Sequence, residues 1–248
     1  MLSSLLLPLL LLLEPAANAW QIPAMMVPKN HPSLRPTTTT ALSARAEASF
    51  GMGCFWKPSE EMLKVPGVID TVVGYTGVPN VDAPPTYDKV CFSRDWVEGV
   101  RVYYDDDVVS YETLLEAFFE HQEPKWQSRQ YASIIFPHDE QQEATAKAWL
   151  ENGKQKIRDD GITTAWTQVE PLQPFFAAEN YHQRYWQKTR PRIATMIALL
   201  AVSTGIVDQF LPTAAAVSTV HSAADAIVLA GLVLVFVERV VDTKTVEI

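Results

Sequence analysis

The chain has 248 residues, 48% of them hydrophobic, and a formal net charge of −9. That suits one catalytic domain with appendages and a packed core, and the acidic balance argues against a nucleic-acid partner. Two cysteines, Cys54 and Cys91, exclude a disulfide-stapled scaffold, and no Cys/His spacing has the pattern of a zinc site.

Residues 1–19 read as a secretory signal. Leu5 to Leu13 is nearly all leucine around Pro8, too short to span a bilayer, and Ala17-Asn18-Ala19 is a small-residue cleavage pattern. Residues 20–46 hold Lys29, Arg35 and Arg45, no acid, and the threonine run Thr37 to Thr40. Such a basic, hydroxyl-rich transit or linker segment buries too little to fold alone. With the aromatic Trp20 following the cleavage pattern, the whole resembles the two-part leader that routes proteins into secondary plastids. An ordinary secreted protein with a loose linker is the alternative.

Residues 47–190 alternate in periodicity and predict an α/β (α+β) domain, a mixed sheet layered with helices. Ala48 to Gly53 predicts a strand running into a turn, and Cys54 to Lys64 a helix stopped by Pro66-Gly67. Val68 to Tyr75 and Val97 to Tyr104 are β-branched or alternating and predict strands. Ser110 is the expected N-cap of a helix over Tyr111 to Glu120. A strand over Tyr131 to Phe136, a helix over Asp139 to Arg158, a strand over Thr163 to Val169 and a short helix over Glu179 to Lys188 complete the domain.

Residues 191–248 form a hydrophobic extension. Ile193 to Phe210 and Ala223 to Val237 are apolar blocks, each approaching the roughly 20 residues of a spanning helix. They predict a two-helix hairpin that associates with a membrane through residues 193–237. Lys188, Arg190 and Arg192 would keep the catalytic side on the stromal face. Asp208 and Asp225 count against insertion, since an acid in hydrocarbon costs a few kcal/mol. A hairpin packed on the domain or in a dimer is the alternative.

The chemistry centres on Gly51-Met52-Gly53-Cys54-Phe55-Trp56. Glycines allow a tight turn and close approach to a ligand. A helix beginning at Cys54 would lower its pKa through free N–H groups and the dipole. Phe55 and Trp56 offer aromatic surface suited to a small apolar group. Taken alone, these features fit a buried structural cysteine equally well.

Gly53-Cys54-Phe55-Trp56, Pro66-Gly67-Val68, Gly74-Tyr75-Thr76-Gly77, Pro85-Thr86-Tyr87, Lys89-Val90-Cys91, Glu98-Gly99-Val100, Gln130-Tyr131, and Ala178-Glu179 with His182-Gln183 together resemble the peptide methionine sulfoxide reductase A family. The resemblance covers about Ser49 to Lys188. It implies a ferredoxin-like core and a reaction on the S epimer of methionine sulfoxide, in oxidised proteins or free, as repair under oxidative stress. It implies that Cys54 attacks the sulfoxide sulfur while Glu98 gives a proton to the oxygen. Tyr87 and Tyr131 would hydrogen-bond that oxygen, and Phe55 and Trp56 would hold the S-methyl group. It implies no bound cofactor or metal. A sulfenic acid on Cys54 would be recycled by an external thiol donor, thioredoxin or similar.

Four departures from the family stand out. Trp96 replaces a histidine, Lys125 to Arg129 is a shortened segment without the family's Asp and glycines, and Lys57-Pro58 replaces small residues. No resolving cysteine follows the domain, so recycling falls to Cys91 or to an external thiol. Cys91 matches a family position that is generally not catalytic, and a structural role is expected; the same is expected of His182. The competing functions are a one-cysteine thiol peroxidase and a membrane-anchored, non-catalytic module that binds oxidised methionine.

Overall fold

The computed structural model of the chain describes residues 45–153 and 156–241. The expected leader, residues 1–19 and 20–44, lies outside the described residues.

The domain begins with β1 (Arg45–Met52), α1 (Trp56–Met62) and β2 (Val68–Thr76), followed by α2 (Tyr87–Ser93) and β3 (Val97–Asp105). Then come α3 (Tyr111–His121), β4 (Ser133–Phe136), α4 (Glu140–Asn152) and two short strands, β5 (Gln168–Val169) and β6 (Phe176–Ala177). The six strands form one sheet in the order β5-β4-β1-β3-β2-β6. Its central four, β4-β1-β3-β2, are antiparallel to their neighbours, and β5 alone runs parallel to β4. This is the split β-α-β-β-α-β arrangement of a ferredoxin-like core, extended by one strand at each edge.

Alternation along the strands sorts the side chains between faces. Phe50, Val100, Val102 and Ile135 join Leu114 and Phe118 in the main core. Val97, Ile134 and Phe136 form a smaller cluster with Leu172. Glu98 shares the strand parity of Val100 and Val102, so it faces the main core and not solvent. Ser110 caps α3 as expected, accepting from the Thr113 amide at 3.2 Å, and Trp96, where the family has histidine, is a buried core residue edge-on to Phe176.

Several expected boundaries move. β1 starts at Arg45 because Arg45 and Ala46, assigned to the linker, pair with Asp105 and Tyr104. Tyr131 lies in a turn before β4, not in the strand. The helix expected from Asp139 to Arg158 is α4, with Asp139 as its cap accepting from the Gln142 amide at 2.7 Å and Gly153 at its end. Thr163 to Val169 is mostly a one-turn 3₁₀ helix, Thr164–Trp166, with only Gln168 and Val169 left as strand. Helix α2 and strand β6 lacked a readable pattern: α2 buries only Val90, and β6 is two residues long.

The C-terminal hairpin also differs from expectation. Residues 180–184 are turns, and α5 (Tyr185–Ser203) runs straight into the first apolar block through Pro191. That block ends at Ser203 and gives way to a one-turn helix, Asp208–Phe210. It is therefore too short to span. α6 (Ala214–Val241) starts nine residues before the expected second block, and among the described residues it alone is long and apolar enough to cross a membrane. The two acids do not face each other. Ser203 donates to Asp225 at 2.7 Å, and His221 lies 2.7 Å from Asp208, so each acid meets a polar partner across or beside the hairpin. Arg192 makes a paired contact with Glu238, both bonds 2.7 Å, and joins the helices near the domain. A cleft of about 510 Å³ between the helices, lined by Met196, Leu200 and Val235, contains none of Cys54, Glu98, Tyr87 or Tyr131.

Candidate active site

The expected site residues converge at one end of the sheet. The end of β1 delivers Cys54, the start of β3 delivers Glu98, the start of α2 delivers Tyr87, and the turn before β4 delivers Tyr131. Gly53 sets the approach. It has φ +83°, and a Cβ there would lie 1.9 Å from the Glu123 carbonyl oxygen. The glycine is thus needed so that β1 can pass against the chain's own backbone, where Gly53 bridges to Glu123. The close approach is to protein, not to a ligand as expected.

Cys54 precedes α1 and is not its first residue; Phe55 is the N-cap. Lys57 and Pro58 fall in the first turn, where amides lack helical partners, so the proline costs little. The Trp56 amide donates to the Cys54 sulfur, as a free amide at a helix start should. Yet the Cys54 pKa is raised, not lowered. Burial pushes it up, and the charges of Glu98 and Glu123 add to that, against the Trp56 amide and Lys125. The expectation weighed the local amides and missed the desolvation of a half-buried sulfur.

Glu98 is 2% exposed. Its Oε2 accepts from the Phe55 amide at 3.2 Å, which puts the carboxyl beside the residue next to Cys54. Its Oε1 accepts from Gln130 Nε2 at 2.8 Å, and the Glu98 amide donates to the Gln130 carbonyl at 2.9 Å, so Gln130 holds it from side chain and backbone together. Burial pushes its pKa to about 7, although both hydrogen bonds and Lys125 favour the anion. At neutral pH a large fraction of Glu98 carries a proton.

The tyrosine hydroxyls stay protonated. Burial raises Tyr131 to about 12, helped by Glu98, Cys54 and Cys91, and raises Tyr87 further. Tyr87 hydrogen-bonds Cys91, whose sulfur lies 3.8 Å from Gln130 Nε2. Cys91 is thus packed behind the tyrosine and the glutamine, and both thiols are free in this structure.

The aromatic side of the site was only half legible. Phe55 is buried against Tyr75 (6.0 Å between centroids) and edge-on to His182 (5.3 Å). Trp56 stacks flat on Tyr185, 3.9 Å apart at 7°, and its Nε1 donates to His182 Nδ1 at 3.0 Å. His182 is 1% exposed, and burial lowers its pKa to about 3, with Arg239 and Lys188 acting the same way. It is therefore neutral, and because Nδ1 accepts, its proton is on Nε2. The 3.8 Å separation between Nε2 and Glu179 is then not an ion pair, and Nε2 has no hydrogen-bond partner. Glu179 accepts from the Tyr75 hydroxyl at 2.8 Å instead. His182 fixes the Trp56 ring and is structural in that sense, but it lies in a turn and not on the expected helix. Tyr185, Tyr75 and the clamp by Gln130 had no local signal, because their partners are 20 to 129 residues away in sequence.

A half-buried sulfur beside a buried, half-protonated carboxyl and two neutral phenols can deliver a nucleophile, a proton and two hydrogen bonds to one small polar group. Among the described residues no group of three or more His, Cys, Asp or Glu could hold a metal ion.

The model of the family described as peptide methionine sulfoxide reductase matches residues 46–208. The chain is 41% identical over 153 residues to a peptide methionine sulfoxide reductase MsrA of Methanoculleus marisnigri, covering 57% of this chain and 88% of that relative. It is 41% identical over 155 residues to the protein of that name from Cronobacter sakazakii, covering 57% and 70%. Among solved structures, methionine sulfoxide reductase A of Corynebacterium diphtheriae aligns at 27% identity and a TM-score of 0.48, over 61% of this chain and 78% of that one.

Proposed function

The chain belongs to the peptide methionine sulfoxide reductase family, oxidoreductases that act on a sulfoxide, and from that premise we propose how its own residues carry the reaction. The Cys54 thiolate attacks the sulfoxide sulfur. Glu98 supplies the proton that the oxygen needs, and the hydroxyls of Tyr87 and Tyr131 stabilise the charge gathering on it. The oxygen ends on sulfur of Cys54: the substrate sulfur gains two electrons and leaves as methionine, and Cys54 becomes a sulfenic acid. An external thiol then attacks that sulfenic acid, releasing water, and a second thiol frees Cys54. Phe55 and Trp56 form the wall against which the S-methyl group packs.

The observation that carries this reading is the buried Glu98 carboxyl, held by the Phe55 amide and Gln130 with a pKa of about 7, next to Cys54. A general acid would serve a thiol peroxidase as well, so the choice between the two readings falls to turnover. Full-length protein, in detergent and with dithiothreitol, is to be assayed on a peptide of S-epimer methionine sulfoxide and on hydrogen peroxide, beside Cys54→Ser. Sulfoxide turnover that vanishes in the variant supports the reading. Peroxide turnover without sulfoxide turnover favours the peroxidase, and binding without turnover favours the non-catalytic module.

The reading extends to location. The apolar length of α6 supports attachment to a bilayer by one span, and the composition of residues 1–46 supports plastid delivery. Carbonate extraction of membranes tests the first. A fluorescent fusion to residues 1–46 tests the second, and secretion of that fusion would overturn it.

A further inference from the structure

The shortened segment between α3 and β4 builds a feature that the reaction above does not use. Lys125, Trp126, Gln127 and Ser128 make a tight turn, closed by the Ser128 amide donating to the Lys125 carbonyl at 3.1 Å, with Gln127 at φ +60°. Trp126, the second residue of this turn, is 65% exposed. Tryptophan is seldom so bare, because its large apolar ring gains most from cover. Its ring is 5.2 Å from Trp166, tilted by 46°. The two tryptophans line a cleft of about 280 Å³ together with Lys125 and Ser128.

This cleft adjoins the site. The Lys125 amide donates to the Tyr131 carbonyl at 3.0 Å, and its ammonium lies 4.5 Å over the Tyr131 ring. The charge of Lys125 is felt at both Cys54 and Glu98. Trp126 thus follows directly in the chain on Lys125, which touches Tyr131, a residue that the proposed reaction sets at the sulfoxide oxygen. The cleft has room for one side chain, not for a whole ligand.

We propose that Trp126 and Trp166 form a subsite for the residue next to methionine sulfoxide in a polypeptide substrate, and that it takes an aromatic side chain stacked on Trp126. The proposal rests on the reading of Cys54 as the reductase nucleophile. Such a subsite makes the enzyme distinguish oxidised polypeptides by sequence and has no bearing on turnover of the free amino acid, which carries no neighbouring residue.

The test compares kcat/KM of the full chain on three S-epimer substrates: N-acetylated, amidated Phe-Met(O)-Phe, the same with alanine flanks, and free methionine sulfoxide. Flanking both sides removes any need to know the chain direction. The phenylalanine peptide should exceed the alanine peptide by about two- to tenfold, the range of one aromatic pair. Trp126→Ala should erase that ratio and leave the free amino acid unchanged, while Trp126→Phe should keep most of it. No preference in the native protein, or a preference that survives Trp126→Ala, would overturn the subsite alone. Failure to turn over any of the three, free methionine sulfoxide included, would remove the reductase reading and the subsite with it.

Discussion

The catalytic domain and the more apolar C-terminal hairpin use their apolar residues in opposite ways. In the domain, Phe50, Leu114, Phe118 and Ile135 are fully covered by the chain's own strands and helices. In the hairpin, α5 buries no residue, and Leu229, Leu232, Leu234 and Phe236 of α6 stand exposed. The domain has internal partners for its apolar groups, whereas the hairpin presents its own to whatever surrounds it. Covered apolar surface is what makes a fold cooperative, and uncovered surface of this extent marks a meeting with lipid or another chain.

Five substitutions would break or sharpen this contrast. The largest expected effect lies wholly in the domain: Cys54→Ser should cut sulfoxide turnover at least about a thousandfold, some 4 kcal/mol of barrier, with an unchanged circular-dichroism spectrum. Next, Phe118→Ala should cost about 3–5 kcal/mol in denaturant unfolding, whereas Leu232→Ala in detergent should stay within about 0.5 kcal/mol. A large loss from Leu232→Ala would mean that α6 is packed in a way the isolated chain does not display.

Glu98→Gln should lower turnover about a hundredfold and also change how stability depends on pH. Glu98 has a folded pKa of about 7, raised from the ordinary 4.5. The folded state thus holds the proton more tightly than the unfolded one, and the stabilisation present below about pH 4.5 is lost as pH rises through 7. The loss is about 3 kcal/mol, and melting curves of the variant should lack it. His182 runs the other way: its folded pKa of about 3 lies below the ordinary 6.5. Its contribution is full above about pH 6.5 and fades as pH falls toward 3. If Glu98→Gln leaves the pH profile of stability untouched, the carboxyl is not desolvated as described. The smallest effect belongs to the hairpin. Arg192→Ala breaks the partly exposed pair with Glu238 and should cost under about 1 kcal/mol in unfolding.

The same contrast explains what the sequence disclosed. Strands with one buried face were legible because alternation writes burial directly, as in Val100 and Val102. Glu98 was legible only through the motif, since its parity with those valines says that it faces inward but not that Gln130 clamps it. Asp208 and Asp225 stood out in the sequence as acids in apolar blocks, but their partners His221 and Ser203 were invisible. The direction of the Cys54 shift was misread for the same reason. Helix amides are local and can be inferred, while desolvation is the sum of everything that packs around the sulfur. α2 and β6 were missed because neither buries a repeating face.

The stacking of Trp56 on Tyr185 has a consequence for the order in which the protein is made. A chain grows from its N-terminus, so Cys54 and Trp56 leave the ribosome long before His182 and Tyr185, which fix the Trp56 ring. Until those last residues arrive, the sulfur is present but its aromatic wall is not in place. The nascent chain therefore carries Cys54 through most of its synthesis without the aromatic surroundings of the finished fold, and one of the residues that complete them, Tyr185, also opens the first helix of the hairpin.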